Sequence, residues 1–295
     1  MAAHGRLASG RRFYKMTGSG NDFVVLDGIA EPLAALPEAA AVASLCDRRG
    51  GVGADGVVVL ERSASAVARM IYFNRDGSRG EMCGNAALCS TRLMAELGHV
   101  DGGMAEFTLE TDSGFLTVGL TTKAGGPRVP GAPRSLAPWI ELPEAVEIDL
   151  AVALSPQPGE VRFGFARVGV PHLVVLCAPG HEPLVDQRGR ELRHHRQFRD
   201  GANVNFVIPR EGSTWRIRTF ERGVEGETLA CGTGTGASAL LLAAWGPAPG
   251  PIVALESSSG KPLAVELPGG DAAGNRARLR GEGRLVFGGE LRELA

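Results

Sequence analysis

Lysine is almost missing from these 295 residues: Lys15, Lys123 and Lys261 are the only three, and arginine supplies the rest of the positive charge. Few candidates remain for a Schiff-base lysine. No apolar run approaches the roughly 18 residues needed to span a bilayer. The opening MAAHGRLASGRR lacks the apolar core of a signal peptide. A cytoplasmic protein with a short disordered N-terminal extension is expected. Net charge is missing too, with 31 Lys and Arg against 33 Asp and Glu. No whole-protein field therefore draws the chain to nucleic acid or to a membrane, and neither is expected as a partner. There is no GxxxxGKS/T segment, so a P-loop is excluded.

Cysteine is sparse. Cys46, Cys83, Cys89, Cys177 and Cys231 are an odd count, too few for a disulfide framework, and none forms a CxxC or CxxH pair of the zinc kind. No metal site is expected, and the five read as thiols. Glycine and proline, in contrast, are plentiful: 42 Gly and 18 Pro make about a fifth of the chain, against about 12 % in an average protein. Many short elements joined by tight turns follow from that.

Alternation and β-branched runs predict strands at 23–27, 57–61, 66–73, 105–110 and 114–120, with helices at 33–48 and 85–97. A joint at 124–138 has the densest Gly and Pro and marks the boundary between an N-terminal half, 1–130, and a C-terminal half, 131–282. Beyond it, strands are predicted at 161–168, 172–177, 203–209, 215–220, 252–255, 263–267 and 276–280, and a helix at 233–245. The last apolar run, within 283–295, is free to close either sheet.

An internal similarity carries most of the information. Phe73-Asn74-Arg75-Asp76-Gly77 leads to Glu81-Met82-Cys83-Gly84, and Phe220-Glu221-Arg222-Gly223 leads to Leu229-Ala230-Cys231-Gly232. In both, a strand ends in Phe, turns through a polar loop with glycine, and delivers Cys-Gly to the start of an apolar helix. Two related halves so joined are expected to face each other across a cleft, each contributing one such helix. A thiol at a helix N-terminus feels the positive end of the macrodipole, which lowers its pKa toward the range of a base at neutral pH. Cys46, Cys89 and Cys177 lie within apolar runs and read as core. Backbone N–H groups around Gly84-Asn85 and Gly232-Thr233 suit a carboxylate. An amino acid held between two thiols could lose its α-proton to one and regain a proton from the other on the opposite face, which is racemisation or epimerisation.

These residues resemble the diaminopimelate epimerase family over nearly the whole chain. The matching blocks are Lys15-Met16-Thr17-Gly18-Ser19-Gly20-Asn21-Asp22-Phe23, Asp47 through Gly56, Phe73-Asn74, Glu81 through Asn85, Pro171-His172, Asn203-Val204-Asn205-Phe206, Glu221-Arg222-Gly223 and Ala230 through Gly234. The resemblance implies an α+β fold of two similar domains related by pseudo-twofold symmetry, each a mostly antiparallel sheet wrapped around a central helix. It implies cofactor-independent conversion of LL-2,6-diaminopimelate to the meso isomer, in lysine and peptidoglycan precursor synthesis, by a homodimer. By position, Cys83 and Cys231 become the acid/base pair, with His172 and Glu221 tuning them. Gly84, Asn85, Gly232 and Thr233 hold the reacting carboxylate, and Asn21, Asn74, Asn203, Glu221 and Arg222 bind the rest of the substrate. Arg222 is a fork suited to a carboxylate, and asparagines donate and accept without adding charge.

Three positions depart from the family pattern: Gly56 stands where Gln is common, Ala86 where Gly is usual, and Val170 where Asn often contributes to the distal site. These touch substrate preference more than reaction type, so a proline racemase-like or other amino-acid racemase is the alternative. A non-catalytic amino-acid sensor would not need both thiols. The run Gly232 through Ala237 opens a helix with Glu256 about 20 residues on, as in a dinucleotide site, but about ten residues separate it from the preceding strand.

Overall fold

The computed structural model describes residues 9–101, 106–121, 137–248, 250–267 and 276–292. The first eight residues and most of the 124–138 joint lie outside the described residues. The chain forms two compact units. One holds the described residues up to 121, residues 137–140 and those from Glu282 on, and the other holds Glu141–Gly281.

In the first unit, Arg12–Gly18 and Asn21–Asp27 form a hairpin. Its two-residue turn, Ser19-Gly20, has positive φ at both positions (52° and 106°), the backbone that fits the twist of antiparallel strands. Asn21–Asp27 then pairs in parallel with Gly56–Glu61, which pairs antiparallel with Ala68–Asn74, followed by the short strand Arg79–Gly80. After a helix come Glu106–Thr111, parallel to Ala68–Asn74, and the antiparallel strands Gly114–Thr121 and Ala137–Glu141. The last strand, Arg284–Glu290, pairs antiparallel with Arg12–Gly18.

The second unit repeats this order of pairings. Glu160–Val168 and Val170–Cys177 form the hairpin, Val170–Cys177 runs parallel to Asn203–Pro209, and Thr214–Glu221 and Gly226–Thr228 follow antiparallel. Ile252–Glu256 lies parallel to Thr214–Glu221, with Pro262–Glu266 and Arg278–Arg280 beyond it. Ala145–Asp149 flanks Glu160–Val168 as Arg284–Glu290 flanks Arg12–Gly18. The repetition glimpsed in two Cys-Gly turns therefore extends through the whole topology, and the α+β class with few helices follows.

Each unit places one helix on either face of its sheet. The inner helices, α2 (Gly84–Glu96) and α4 (Gly232–Trp245), are wrapped by strands of their own unit. They are buried nearly all round, so Ser90, Thr91 and Thr235 return their hydroxyls to the helix backbone at 2.7–2.8 Å. The outer helices, α1 (Ala39–Cys46) and α3 (Val185–Arg193), cover the opposite faces through Val42 and Leu45, and through Val185 and Leu192. Covered on both sides, strands such as Gly56–Glu61 read as continuous apolar runs.

The expected helix at 33–48 is shorter than its apolar pattern. Pro37 disfavours helical geometry at Leu36, and α1 begins only at Ala39. The polar helix α3 escapes the sequence reading. Its Gly189 is a packing requirement: a Cβ there would sit 2.5 Å from Phe220 Cβ.

Candidate active site

Cys83 and Cys231 are the N-cap residues of α2 and α4. Both are extended (φ −137°, ψ 119° and φ −125°, ψ 110°), and neither side chain caps its own helix. Each carbonyl accepts the first helical N–H at 2.9 Å, from Ala87 and from Thr235. Each partly exposed thiol thus stands at the end of a helix whose first amides have no intrahelical acceptor. The following glycines keep these turns close to the sheet: a Cβ on Gly84 would lie 3.3 Å from Ile140 Cδ1, and one on Gly232 3.0 Å from Leu279 Cδ2. Thr233 places its hydroxyl 3.7 Å from Cys231 Sγ. Cys46, Cys89 and Cys177 are buried, and burial raises all three thiol pKa values, to about 11 for Cys46 and about 12 for Cys177.

In the first unit, the structure brings Asn21 and Asn85 together. Asn85 Nδ2 donates to Asn21 Oδ1 at 2.8 Å, and Asn21 Nδ2 donates to Asp55 Oδ2 at 3.4 Å. Asp55 is itself fixed by Arg48, which also forks onto Asp22 beside Lys15. Burial opposes the Asp22 charge, but hydrogen bonds from Arg48 and Lys15 outweigh it and hold the carboxyl below its usual range. Asn85 Oδ1 is buried without a hydrogen-bond partner among the described residues. Asn74 ends its strand opposite Gly56 and is held by its own turn, its Nδ2 donating to Ser78 Oγ at 3.0 Å.

Gly56 and Gly80 both face Tyr72, a residue sequence reasoning missed. A Cβ on Gly56 would sit 2.6 Å from the Tyr72 ring and 3.1 Å from its hydroxyl oxygen, and one on Gly80 2.7 Å from the ring. The aromatic side chain thus fills the space that a larger residue at Gly56 would enter. Burial, then the neighbouring Cys83, raises its phenol pKa. No periodicity marks Tyr72, because its role depends on two glycines on other strands.

In the second unit, His172 and Asn203 are register partners on parallel strands. Asn203 Oδ1 accepts the Arg222 backbone N–H at 2.7 Å, and the Arg222 guanidinium donates to Asp200 O at 3.1 Å. Asn203 therefore fixes the turn that presents Glu221 and Arg222. Burial raises the Glu221 pKa. His172 is fully buried, and burial, followed by the Arg222 charge, lowers its pKa to about 3. The imidazole is neutral throughout the neutral range. Val170 pairs with Val168 at the hairpin end and brings no polar group.

The diaminopimelate epimerase family model matches residues 13–127 and 164–275, the stretches that carry both Cys-Gly turns. The diaminopimelate epimerase of Gemmatimonas aurantiaca is 42 % identical over 291 residues, covering 96 % of this chain and 99 % of its own. The chain belongs to the diaminopimelate epimerase family. Another member, the diaminopimelate epimerase of Aquifex aeolicus, is 38 % identical over 78 % of this chain and 80 % of its own. The epimerase fold also extends to solved structures of low identity. A PhzF-family phenazine biosynthesis protein from Bacillus anthracis superposes with a TM-score of 0.70 at 13 % identity, covering 96 % of this chain and 99 % of its own. A hydroxyproline epimerase from Agrobacterium vitis gives 0.62 at 18 %, covering 98 % and 94 %. No helix among the described residues of this family member is long and apolar enough to cross a membrane.

Proposed function

We propose that this chain interconverts LL- and meso-2,6-diaminopimelate without a cofactor, with Cys83 and Cys231 as the acid/base pair. The observation that carries the reading is the repeated N-cap position: in a member of this family, two thiols stand at equivalent helix starts, one in each unit. The macrodipole and the amides of the first turn, which have no intrahelical acceptor, favour a thiolate there. One cysteine, as thiolate, takes the α-proton, and the other, as thiol, gives its proton to the opposite face. Inversion leaves the protonation states of the two sulfurs exchanged, ready for the reverse isomer.

The carbanion needs stabilisation from the surroundings, and the amides of Gly84, Asn85, Gly232 and Thr233 are the donors for the reacting carboxylate. Asn21, Asn74, Asn203 and Arg222 are assigned to the substrate's distal amino-acid end, with Glu221 serving both binding and acid/base tuning. His172, being neutral, tunes the site through hydrogen bonding. The enzyme acts in the cytoplasm as a homodimer in this reading, supplying lysine and peptidoglycan precursors.

NMR of the reduced protein with LL-diaminopimelate in D₂O tests the assignment. Deuterium at the α-carbon and growth of the meso isomer, both lost in Cys83→Ala and in Cys231→Ala, support it. Exchange with another amino acid instead would move the error to the distal site, where Gly56 and Val170 lack the usual polar groups. Silence across a panel of amino acids would sink the catalytic reading in favour of a sensor.

A further inference from the structure

His172 carries an unused donor, and its neighbours determine on which nitrogen the proton sits. Asn205, two residues along the strand from Asn203, is fully buried and lies opposite Thr219 in antiparallel register. One end of its side-chain amide is 3.2 Å from the Leu173 carbonyl oxygen. A carbonyl can only accept, so this end is the NH₂ group. Its other end, the carbonyl oxygen Oδ1, takes the Thr219 hydroxyl at 3.0 Å. The second N–H of the same NH₂ group faces His172 Nδ1 at 3.3 Å. Nδ1 must then offer its lone pair, and the ring proton belongs on Nε2. That Nε2 is buried and has no hydrogen-bond partner among the described residues.

The same amide reaches the Cys231 turn. A Cβ built on Gly234 would lie 2.3 Å from Asn205 Oδ1 and 3.3 Å from Cys231 Sγ. Glycine at 234 is therefore required for the Asn205 amide to lie against the start of the helix that Cys231 caps.

We infer that Asn205 is a positioning residue that locks His172 in the Nε2–H tautomer, so that His172 presents a hydrogen-bond donor, rather than a proton-accepting nitrogen, to an acceptor that arrives with the ligand. An unpaired buried N–H is costly in the empty protein. Pairing with that acceptor removes the cost when the site is filled. The low proton affinity of the buried ring agrees, since the ring stays uncharged and keeps Nδ1 free to accept. As a role in catalysis, the inference rests on the epimerase reading. The tautomer itself does not.

Long-range ¹H–¹⁵N spectra of the histidine-labelled full chain test it directly. The sequence has six histidines, and His172 is assigned by elimination with single substitutions of the other five. The expected wild-type pattern is a pyridine-type Nδ1 and a pyrrole-type Nε2. Asn205→Asp replaces the donor with an acceptor and is expected to move the proton to Nδ1. Asn205→Leu, of similar size, is expected to leave a mixture of both tautomers. Asn205→Asp should lower kcat for α-proton exchange roughly tenfold, the worth of one hydrogen bond, and Asn205→Leu about twofold, by the fraction of rings left in the wrong tautomer. A wild-type ring with its proton on Nδ1 overturns the inference without any variant. So does an Asn205→Asp spectrum identical to wild type at both ring nitrogens. The correct tautomer in a chain that exchanges no amino-acid α-proton would leave Asn205 as the lock and sink the epimerase reading alone.

Discussion

Asn85 donates to Asn21 at 2.8 Å and so ties the first turn of the helix capped by Cys83 to the hairpin that begins the first unit. The other end of the Asn21 amide donates to Asp55. Asn21→Asp would set two carboxylates 3–4 Å apart, where like charges repel. The expected outcome is at least a tenfold loss in kcat/KM, with partial recovery in the Asn21→Asp, Asp55→Asn pair. Steady-state kinetics of the three variants give the answer, and additive losses would break the proposed link.

The cysteines should divide sharply under alkylation. Cys83 and Cys231 are partly exposed, whereas Cys46, Cys89 and Cys177 are buried with raised thiol pKa values. Iodoacetamide at pH 7.5 should label the first two and leave the other three intact until denaturant is added. Peptide mass spectrometry before and after unfolding reads the result. Early labelling of Cys46 or Cys177 would contradict it.

Gly56 and Tyr72 form a matched pair, small against large. Gly56→Gln alone should overpack the strand and destabilise the fold by about 1–3 kcal/mol. Adding Tyr72→Ala should recover part of that loss, because the ring is one of the two obstacles and the Phe73 carbonyl is the other. Urea midpoints of both single variants and the double variant form the cycle. No recovery would place the whole conflict on the backbone.

Acid should destabilise the fold partly through His172. Its folded pKa, about 3, lies below the ordinary unfolded value of about 6.5. Above pH 6.5 neither state is protonated and the contribution is fully present. Between 6.5 and 3 only the unfolded chain takes up the proton, so stability falls as pH falls, by up to about 1.4 kcal/mol per pH unit for one proton. His172→Gln should show a shallower decline between pH 6.5 and 4.5 in urea unfolding. An unchanged slope would mean that the ring charges without unfolding.

What the sequence revealed and what it hid have physical reasons. The helices α2 and α4 were legible because each has a sharp beginning at Cys-Gly and a glycine stop, Gly98 with φ 75° and Gly246 with φ 94°. The strands of the sheet centre were legible because burial on both faces makes them continuous apolar runs. Ala145–Asp149 was not, since only Ala145 of its five residues is buried. The two thiols stood out because they are repeated in context. Asn205, Thr219 and Tyr72 did not, because their meaning comes from partners on neighbouring strands, brought close only when the register is set.

The pairing of Arg284–Glu290 with Arg12–Gly18 has a consequence for synthesis on the ribosome. The first unit takes its closing strand from residues translated after the whole of Glu141–Gly281. The second unit can therefore complete its own sheet while the first, made earlier, still presents an open edge along Arg12–Gly18. Birth order and completion order are reversed, and the edge that waits is a row of backbone donors and acceptors without their neighbouring strand.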